Sequence, residues 1–591
     1  MRPAREGARR RPVDLLLLVA AALVLSGCVS IPQSSQIQPG RELGVQDEPQ
    51  HVTNDPPGPR PGASRRQVAA GFFAAMLAYP QTVTTAREYL TASAAAHWDP
   101  SAGVVVYDGQ SFIPGRSGVA VSAQILGTLD RRGVWASVRP EASQMAVTLR
   151  LLKVRGQWRI ANPPPGLYID NEYFDNDYKK FALYFFDPSK QVLAADPVYL
   201  VDDDTAATAL VADLVQGPTS ALSGAVTTAI PKQTKIAVSV SASPSHPGLA
   251  EVPLSDDVLQ LSPDDRKLAA AQLAWTLRQV SDIHTLSISV DGRAIDVPGF
   301  GSSFNVNSFS GYDPAGLTGE RRLFALNETG VVSVADSTVA PVLQAADPRS
   351  AAVDTRGSLV AYVTSAGSSV VVSGIPAGAD VGRSTWFSGA TSLLRPSWDF
   401  RGLLWLVDRS PSGSEIKVAT GTAARTVRAP GLAGSDIVSF AVSRDGVRFA
   451  AIVRRGGTTR LEISIIDRDP VHRERVRLGP PRTVLALTSR TSGIQLRDMS
   501  QLSWVSPTAV VVLASGDAGV RHPWQVEIDG SRTTDVGQFL PVRPVSLAAG
   551  ANAQAPIAVG ARGGQLYLQE PDLQWVRIGE GPALRMPVYA G

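Results

Sequence analysis

Apolar positions along the chain fall into distinct regimes. Arg2, Arg5, Arg9, Arg10 and Arg11 precede an uninterrupted apolar run, Leu15–Leu25. Its 11 residues are too few for a bilayer span, which needs about 20, and they suit the core of a signal peptide. From Val29 to about Ala63 the chain is rich in Pro, Gln and Gly and has little to bury, which predicts an extended tether. Ser64-Arg-Arg-Gln67 is a capping-box pattern that opens an apolar helix through Phe72, Phe73, Met76 and Leu77, stopped at Pro80. A second helix is expected from Ala86 to about Ala96, with Trp98 after it. Alternating stretches then predict strands at Val104–Tyr107, Val119–Leu129, Gly133–Val138, Ala146–Val154 and Gln157–Ile160. Asn162-Pro-Pro-Pro-Gly166 closes this first folded part.

A second part runs from 181 to 298. Strands are expected at Phe181–Phe186 and Val198–Val201, then a helix Thr205–Val215 capped by Asp204 and halted by Gly217-Pro218. A strand at Thr234–Val240 and an extended segment Ala250–Leu254 follow. Ser262-Pro263-Asp264-Asp265 supplies an N-cap, a proline at the first helical position and an acid in the first turn. The helix it opens should bury Leu273, Leu277 and Val280 on one face. The last strand alternates Leu286, Ile288 and Val290 before the turn Asp291-Gly292.

Beyond Ser310 helical periodicity disappears and a unit recurs. Val353–Val363, Trp398–Asp408 and Val442–Val453 each carry a polar turn with glycine followed by an apolar strand, and Gly357, Gly402 and Gly446 fall in register, 45 and 44 residues apart. Trp504–Val512 and Ile557–Leu568 read as later copies. That period is the spacing of a β-propeller blade, with room for about six from residue 323 to the end. Asp and Ser at these turns read as turn hydrogen bonders.

Composition narrows the chemistry. A chain of 591 residues implies three or four domains. Net charge is only +3, with 56 basic against 53 acidic residues, which argues against nucleic acid as a partner. Cys28 is the single cysteine, so disulfides within the chain and multi-cysteine metal sites are excluded. His51, His97, His246, His284, His472 and His522 are scattered without ligand spacing, and no phosphate-binding loop, dinucleotide fingerprint or nucleophile elbow occurs. Asp202-Asp203-Asp204 reads as helix capping ahead of metal binding, and His97 as a core-edge residue at a helix end ahead of a site. No catalytic, metal or cofactor residue is therefore assigned.

Leu25-Ser26-Gly27-Cys28 resembles the lipobox of bacterial lipoproteins. The resemblance implies cleavage between Gly27 and Cys28 and a diacylglyceryl group (with palmitate-type acylation) on the Cys28 sulfur. It divides the leader into a signal peptide at 1–27 and a tether at 28–63. Two helices and a strand meander over 64–166 resemble the NTF2-like α+β fold. Leu183-Tyr-Phe-Phe186, Leu214-Val-Gln-Gly-Pro218, Ala229-Ile-Pro231 and Ser289-Val-Asp-Gly292 resemble the α/β GerMN domain of sporulation and germination proteins, here over 181–298. With an all-β propeller over 318–591, the order of parts resembles the LpqB lipoprotein family of actinobacteria.

That resemblance implies a cell-membrane lipoprotein on the extracytoplasmic face. It would bind and modulate the extracytoplasmic sensor domain of an MtrB-like histidine kinase in a two-component pathway tied to envelope homeostasis and division. Peptidoglycan is a further candidate partner. The alternative is a cell-wall polysaccharide or peptidoglycan hydrolase or lyase acting through paired carboxylates in the propeller. Asp399, Asp408, Asp445 and Asp467 are the acids available there, and the turns in which many of them are expected read as solvated.

Overall fold

A computed structural model describes residues 56–591 apart from 79–82, 117, 140–141, 243–245, 316–321, 336–337, 376–381, 473, 486, 490–491, 517–518, 539, 551–554 and 579–582. The expected signal peptide, Gly27, Cys28 and most of the expected tether lie outside the described residues. Where the described chain starts, it already rests on the first domain: the Pro57 carbonyl accepts a hydrogen bond from the Tyr89 hydroxyl at 2.7 Å.

The capping box forms as the sequence dictates. Ser64 Oγ accepts from the Gln67 amide, and the Gln67 side chain accepts from the Ser64 amide at 2.8 Å. The helix this starts, Arg65–Ala75, buries Val68, Ala69, Phe72 and Phe73. The single helix expected from Ala86 is instead two, Thr84–Glu88 and Ala92–His97. Leu90 leaves the helical path to bridge Ile160, and Thr91 restarts it by accepting from the Ala94 amide. His97 is exposed, its Nδ1 2.8 Å from the Ser93 carbonyl oxygen.

The helices cover a sheet in which Gln157–Ile160, Gln144–Val154, Gly118–Leu129, Val104–Pro114 and Leu167–Asp170 lie side by side in that order. Trp135–Ser137 pairs with Gly118–Leu129. The last strand of the row comes from beyond Gly166 and runs parallel to Val104–Tyr107. The triple proline is thus a crossover within the sheet. A short helix, Asn171–Asp177, capped by Asp170, connects onward.

The middle domain opens on a hairpin, Tyr178–Phe186 with Leu193–Val201. Helices Ala206–Val215 and Pro263–Leu277 share its core with a second sheet built on the parallel pair Leu249–Pro253 and Thr285–Val290. Ser262 caps the longer helix as expected, accepting from the Asp265 amide. That helix is buried from Leu268 through Leu277, not on one face only. Polar residues of this helix and of the turn after it are spent on the open edge of the hairpin, where unpaired backbone groups would otherwise be buried without partners. Gln272 Nε2 donates to the Tyr184 carbonyl, and Gln279 both donates to and accepts from Ala182. Two expectations fail here. Asp203, not Asp204, accepts from the Thr205 amide and hydroxyl at the helix start. Thr234–Val240 forms no strand, because Thr234 closes a turn onto Pro231 and the Val240 amide is taken by Thr208 Oγ1.

From Leu323 to Val588 the described residues form six sheets of four or five strands, in chain order. The ring closes by exchange. Arg585–Val588 is the innermost strand of the sheet whose other three strands begin at Leu323. Separate hydrophobic clusters lie between neighbouring blades. A Ser-Trp pair ties inner strands together twice. Trp398 Nε1 donates back to Ala352 O and Ser397 Oγ accepts from the Val442 amide; Trp504 donates back to Ala441 O and Ser503 accepts from Ala549.

The repeated turns are as read from the sequence. Gly357, Gly402 and Gly446 have φ of +69°, +74° and +68°, and the Asp354 and Asp399 carboxylates accept backbone amides within their own turns. Solvation of these acids is not what the structure shows. Asp399 and Asp445 are buried, Asp399 against Arg468 at 2.7 Å and Asp445 against Arg448 at 3.4 Å. A carboxylate taken from water this completely needs a hydrogen-bonded cation beside it.

Candidate functional site

The three parts of the body are joined by buried contacts, and these junctions decide which surfaces remain for binding. Between the first and middle domains lies an aromatic cluster of Trp135, Phe174, Tyr178 and Tyr199. Trp135 and Phe174 have centroids 5.3 Å apart, and Phe174 and Tyr199 5.5 Å. Gly133 passes so close that a Cβ there would stand 2.3 Å from the Tyr199 carbonyl oxygen, and its φ is +72°, so only glycine fits.

Beside this cluster is a cleft of about 350 Å³ lined from both domains. Asp213 lies on its wall. Burial pushes its carboxyl up to about 7, with Arg132 opposing and Asp130 reinforcing the rise. Arg132 Nε is 3.6 Å from Asp213 Oδ1, while its terminal nitrogen donates to the carbonyls of Asp213 and Gly217 at 2.8 and 2.6 Å. The guanidinium is thus divided between a carboxylate and two backbone acceptors, and full neutralisation of Asp213 is lost.

The propeller meets the other two domains through turns at one end of its blades. Lys180 Nζ lies 2.7 Å from Glu527 Oε2, which is nearly buried; burial raises that carboxyl and the Lys180 charge opposes the rise. The Tyr199 hydroxyl bonds Ser531 Oγ and reaches Asp529 at 3.2 Å, and burial holds the phenol well above its ordinary value. Ser137 donates to the Asp529 carbonyl at 3.1 Å. A Cβ on Gly530 would stand 2.6 Å from Ser137 Oγ. Arg448 donates to Ala195 O, and Val447 belongs to the core of the middle domain. These residues sit at the turn that ends an inner strand and at the equivalent turn between a blade's outer two strands.

The starts of the inner strands lie at the opposite end of the blades. There they surround a cavity of about 600 Å³ on the ring axis. Its wall carries Arg349, Arg395, Arg409, Arg562 and Arg585, and no Asp or Glu among the described residues. Deeper along the axis the passage narrows to a void of about 40 Å³ bounded by Arg395, Arg444, Trp504 and Tyr589. Arg444 crosses its base, donating to Ala315 O at 3.1 Å and to Ala590 O.

Of the acids considered beforehand, Asp408 accepts from the Thr391 and Ser392 amides and Asp467 pairs with Arg477. Neither they nor Asp399 and Asp445 line the axial cavity. Among the described residues no group of three or more His, Cys, Asp or Glu is placed to hold a metal ion. Asp202 pairs with Lys179 at 3.1 Å. Sequence reasoning missed the arginine ring, because its members come from separate blades and no spacing links them.

Residues 58–175 match the family described as "Lipoprotein LpqB, N-terminal domain", residues 182–296 "Sporulation and spore germination", and residues 322–590 "Lipoprotein LpqB beta-propeller domain". Lipoprotein LpqB of Streptomyces avermitilis is 29% identical, covering 100% of this chain and 100% of its own. Its namesake from Cutibacterium acnes is 28% identical over 97% of this chain and 98% of its own. Among solved structures, TolB from Acinetobacter baumannii is similar at 14% identity and a TM-score of 0.32, covering 59% of this chain and 89% of its own. The tandem GerMN domains of GerM from Bacillus subtilis give 18% and 0.19, over 26% of this chain and 58% of theirs.

Proposed function

Because the chain belongs to the LpqB lipoprotein family, we propose that it is a membrane-anchored extracytoplasmic lipoprotein, held by a lipid on Cys28, that binds and modulates the sensor domain of an MtrB-like histidine kinase. The observation that carries a binding role over a catalytic one is the rigid mounting of the propeller. Lys180–Glu527, Tyr199–Ser531 and the aromatic cluster hold three domains as one body, a scaffold that presents fixed surfaces to a partner. The relatives are named as lipoproteins, which supports the anchor. No helix among the described residues is long and apolar enough to cross a membrane.

A hydrolase acting through the propeller needs two carboxyls about 5–10 Å apart on the axis. The axial cavity is walled by arginines instead, so that reading gains no support. The test is crosslinking in intact cells with the full-length lipoprotein as bait, followed by identification of the captured proteins. Capture of the kinase through its extracytoplasmic domain is the expected result. Enrichment of wall polymer or another envelope protein without the kinase refutes the partner assignment.

A further inference from the structure

We propose that the axial cavity of the propeller is a binding site for a compact polyanion, a pyrophosphate or phosphomonoester group, held by an arginine ring. Five guanidiniums line one cavity. Arg409 has Asp436 at 2.7 Å and Arg585 has Asp347 as partners, and neither acid lines the cavity. Among the described residues the other three have no acid partner. Arg349 and Arg562 stand exposed at the mouth. Arg395 lies within and has only a neutral acceptor, the Leu547 carbonyl at 3.0 Å. Desolvation lowers its affinity for the proton to about 10 without discharging it at neutral pH.

A half-buried cation without a carboxylate beside it is costly, and structures normally compensate it. A ligand rich in acceptor oxygens answers this, since the guanidiniums can all donate to it.

The charge selects among oxyanions. A single carboxylate would neutralise one of three free guanidiniums, whereas a phosphomonoester or pyrophosphate brings two or more negative charges and several acceptor oxygens. A cavity of about 600 Å³ is within the usual range for small-ligand sites, roughly 300–1,000 Å³. The rest of the wall, including Leu393, Phe440 and Met586, is apolar enough to carry an organic substituent.

The test is isothermal titration of the full chain with inorganic pyrophosphate at low ionic strength, with citrate as a carboxylate of similar charge. The Arg349→Gln/Arg562→Gln variant removes two exposed side chains and should leave the fold intact. Arg155→Gln/Arg293→Gln removes the same charge from exposed positions in the other two domains. Expected are measurable pyrophosphate binding, at least a tenfold loss in the first variant, little change in the second, and weaker binding of citrate. No binding of pyrophosphate, equal loss in both variants, or citrate binding as tightly as pyrophosphate would each overturn the assignment.

Discussion

Asp213 should make the body less stable as pH rises towards neutrality, and Asp213→Asn should abolish that loss. The carboxyl sits in the cleft wall between the first two domains, where burial pushes it from 3.8 up to about 7. The folded protein therefore keeps a proton that the unfolded chain releases between about pH 4 and pH 7. Stability from this group is greatest below the unfolded value, falls through that window and is flat above it. The gap of about three pH units corresponds to roughly 4 kcal/mol, at about 1.36 kcal/mol per tenfold change in proton affinity. The attraction of Arg132 is already inside that figure, because it opposes the rise. For cooperative melting of about 530 residues the entropy of unfolding is roughly 1.1 kcal/mol per kelvin, so 4 kcal/mol is about 3–4 °C in Tm. Scanning calorimetry of both proteins from pH 4 to pH 8 reads it directly. The two should melt together near pH 4 and separate with rising pH, the variant melting higher at pH 8. Parallel curves across the range, or a variant that melts lower at pH 8, would refute the reasoning.

Two further outcomes follow from the junctions and the anchor. Lys180→Met strips Glu527 of its cation while leaving the carboxylate nearly buried; because Lys180 is itself partly exposed, the cost should be about 1–3 kcal/mol, below the 3–5 for a fully buried pair. Hydrogen exchange across residues 527–532 should accelerate, and adding Glu527→Gln should restore much of the protection; no change in that turn would show that the pair does not hold the junction. Cys28→Ala should leave the protein unlipidated and shift it from the detergent phase to the aqueous phase, and wild-type partitioning of the variant would show that the anchor is misassigned.

What the sequence made legible is what local pattern controls. The capping box at Ser64, the Ser262-Pro263 helix start and the Asp291-Gly292 turn each involve groups within a few residues of one another, and each formed as read. The propeller period was legible for the same reason, because the glycine-bearing turns repeat with the strands they serve. Errors arose where a long-range partner outbid a local preference. Leu90 broke a helix to pair with Ile160, and Thr208 took the amide that a strand at Val240 would have used. The segment 167–180 falls between the expected domains, yet it holds a strand, a helix and two of the aromatics of the first junction, Phe174 and Tyr178. A signal was present: Tyr168, Tyr173, Phe174 and Tyr178 within eleven residues are too much apolar area for a solvated linker. The arginine ring carried no such signal, since its register is set by closure of the ring alone.

Mounting and cavity together constrain where the propeller can meet anything else. Strand direction separates its two ends. The inner strands run from Arg349, Arg395 and Phe440 at the cavity to the turns at Gly357, Gly402 and Gly446. The blade end carrying these turns includes Val447, Arg448, Glu527 and Ser531, which are committed to the other two domains. A partner of ordinary interface size, about 800 Å² per side, therefore has the cavity end and the outer blade edges available on the propeller, while the turns of these two blades are already covered. If the proposed kinase partner docks on the cavity end, it and the proposed polyanion share the arginines at the mouth. Binding of one should then weaken the other by the same factor, as linkage requires. If it docks on the blade edges or on the middle domain, pyrophosphate should leave kinase capture unchanged. The same full-length protein and the same probe distinguish the two arrangements.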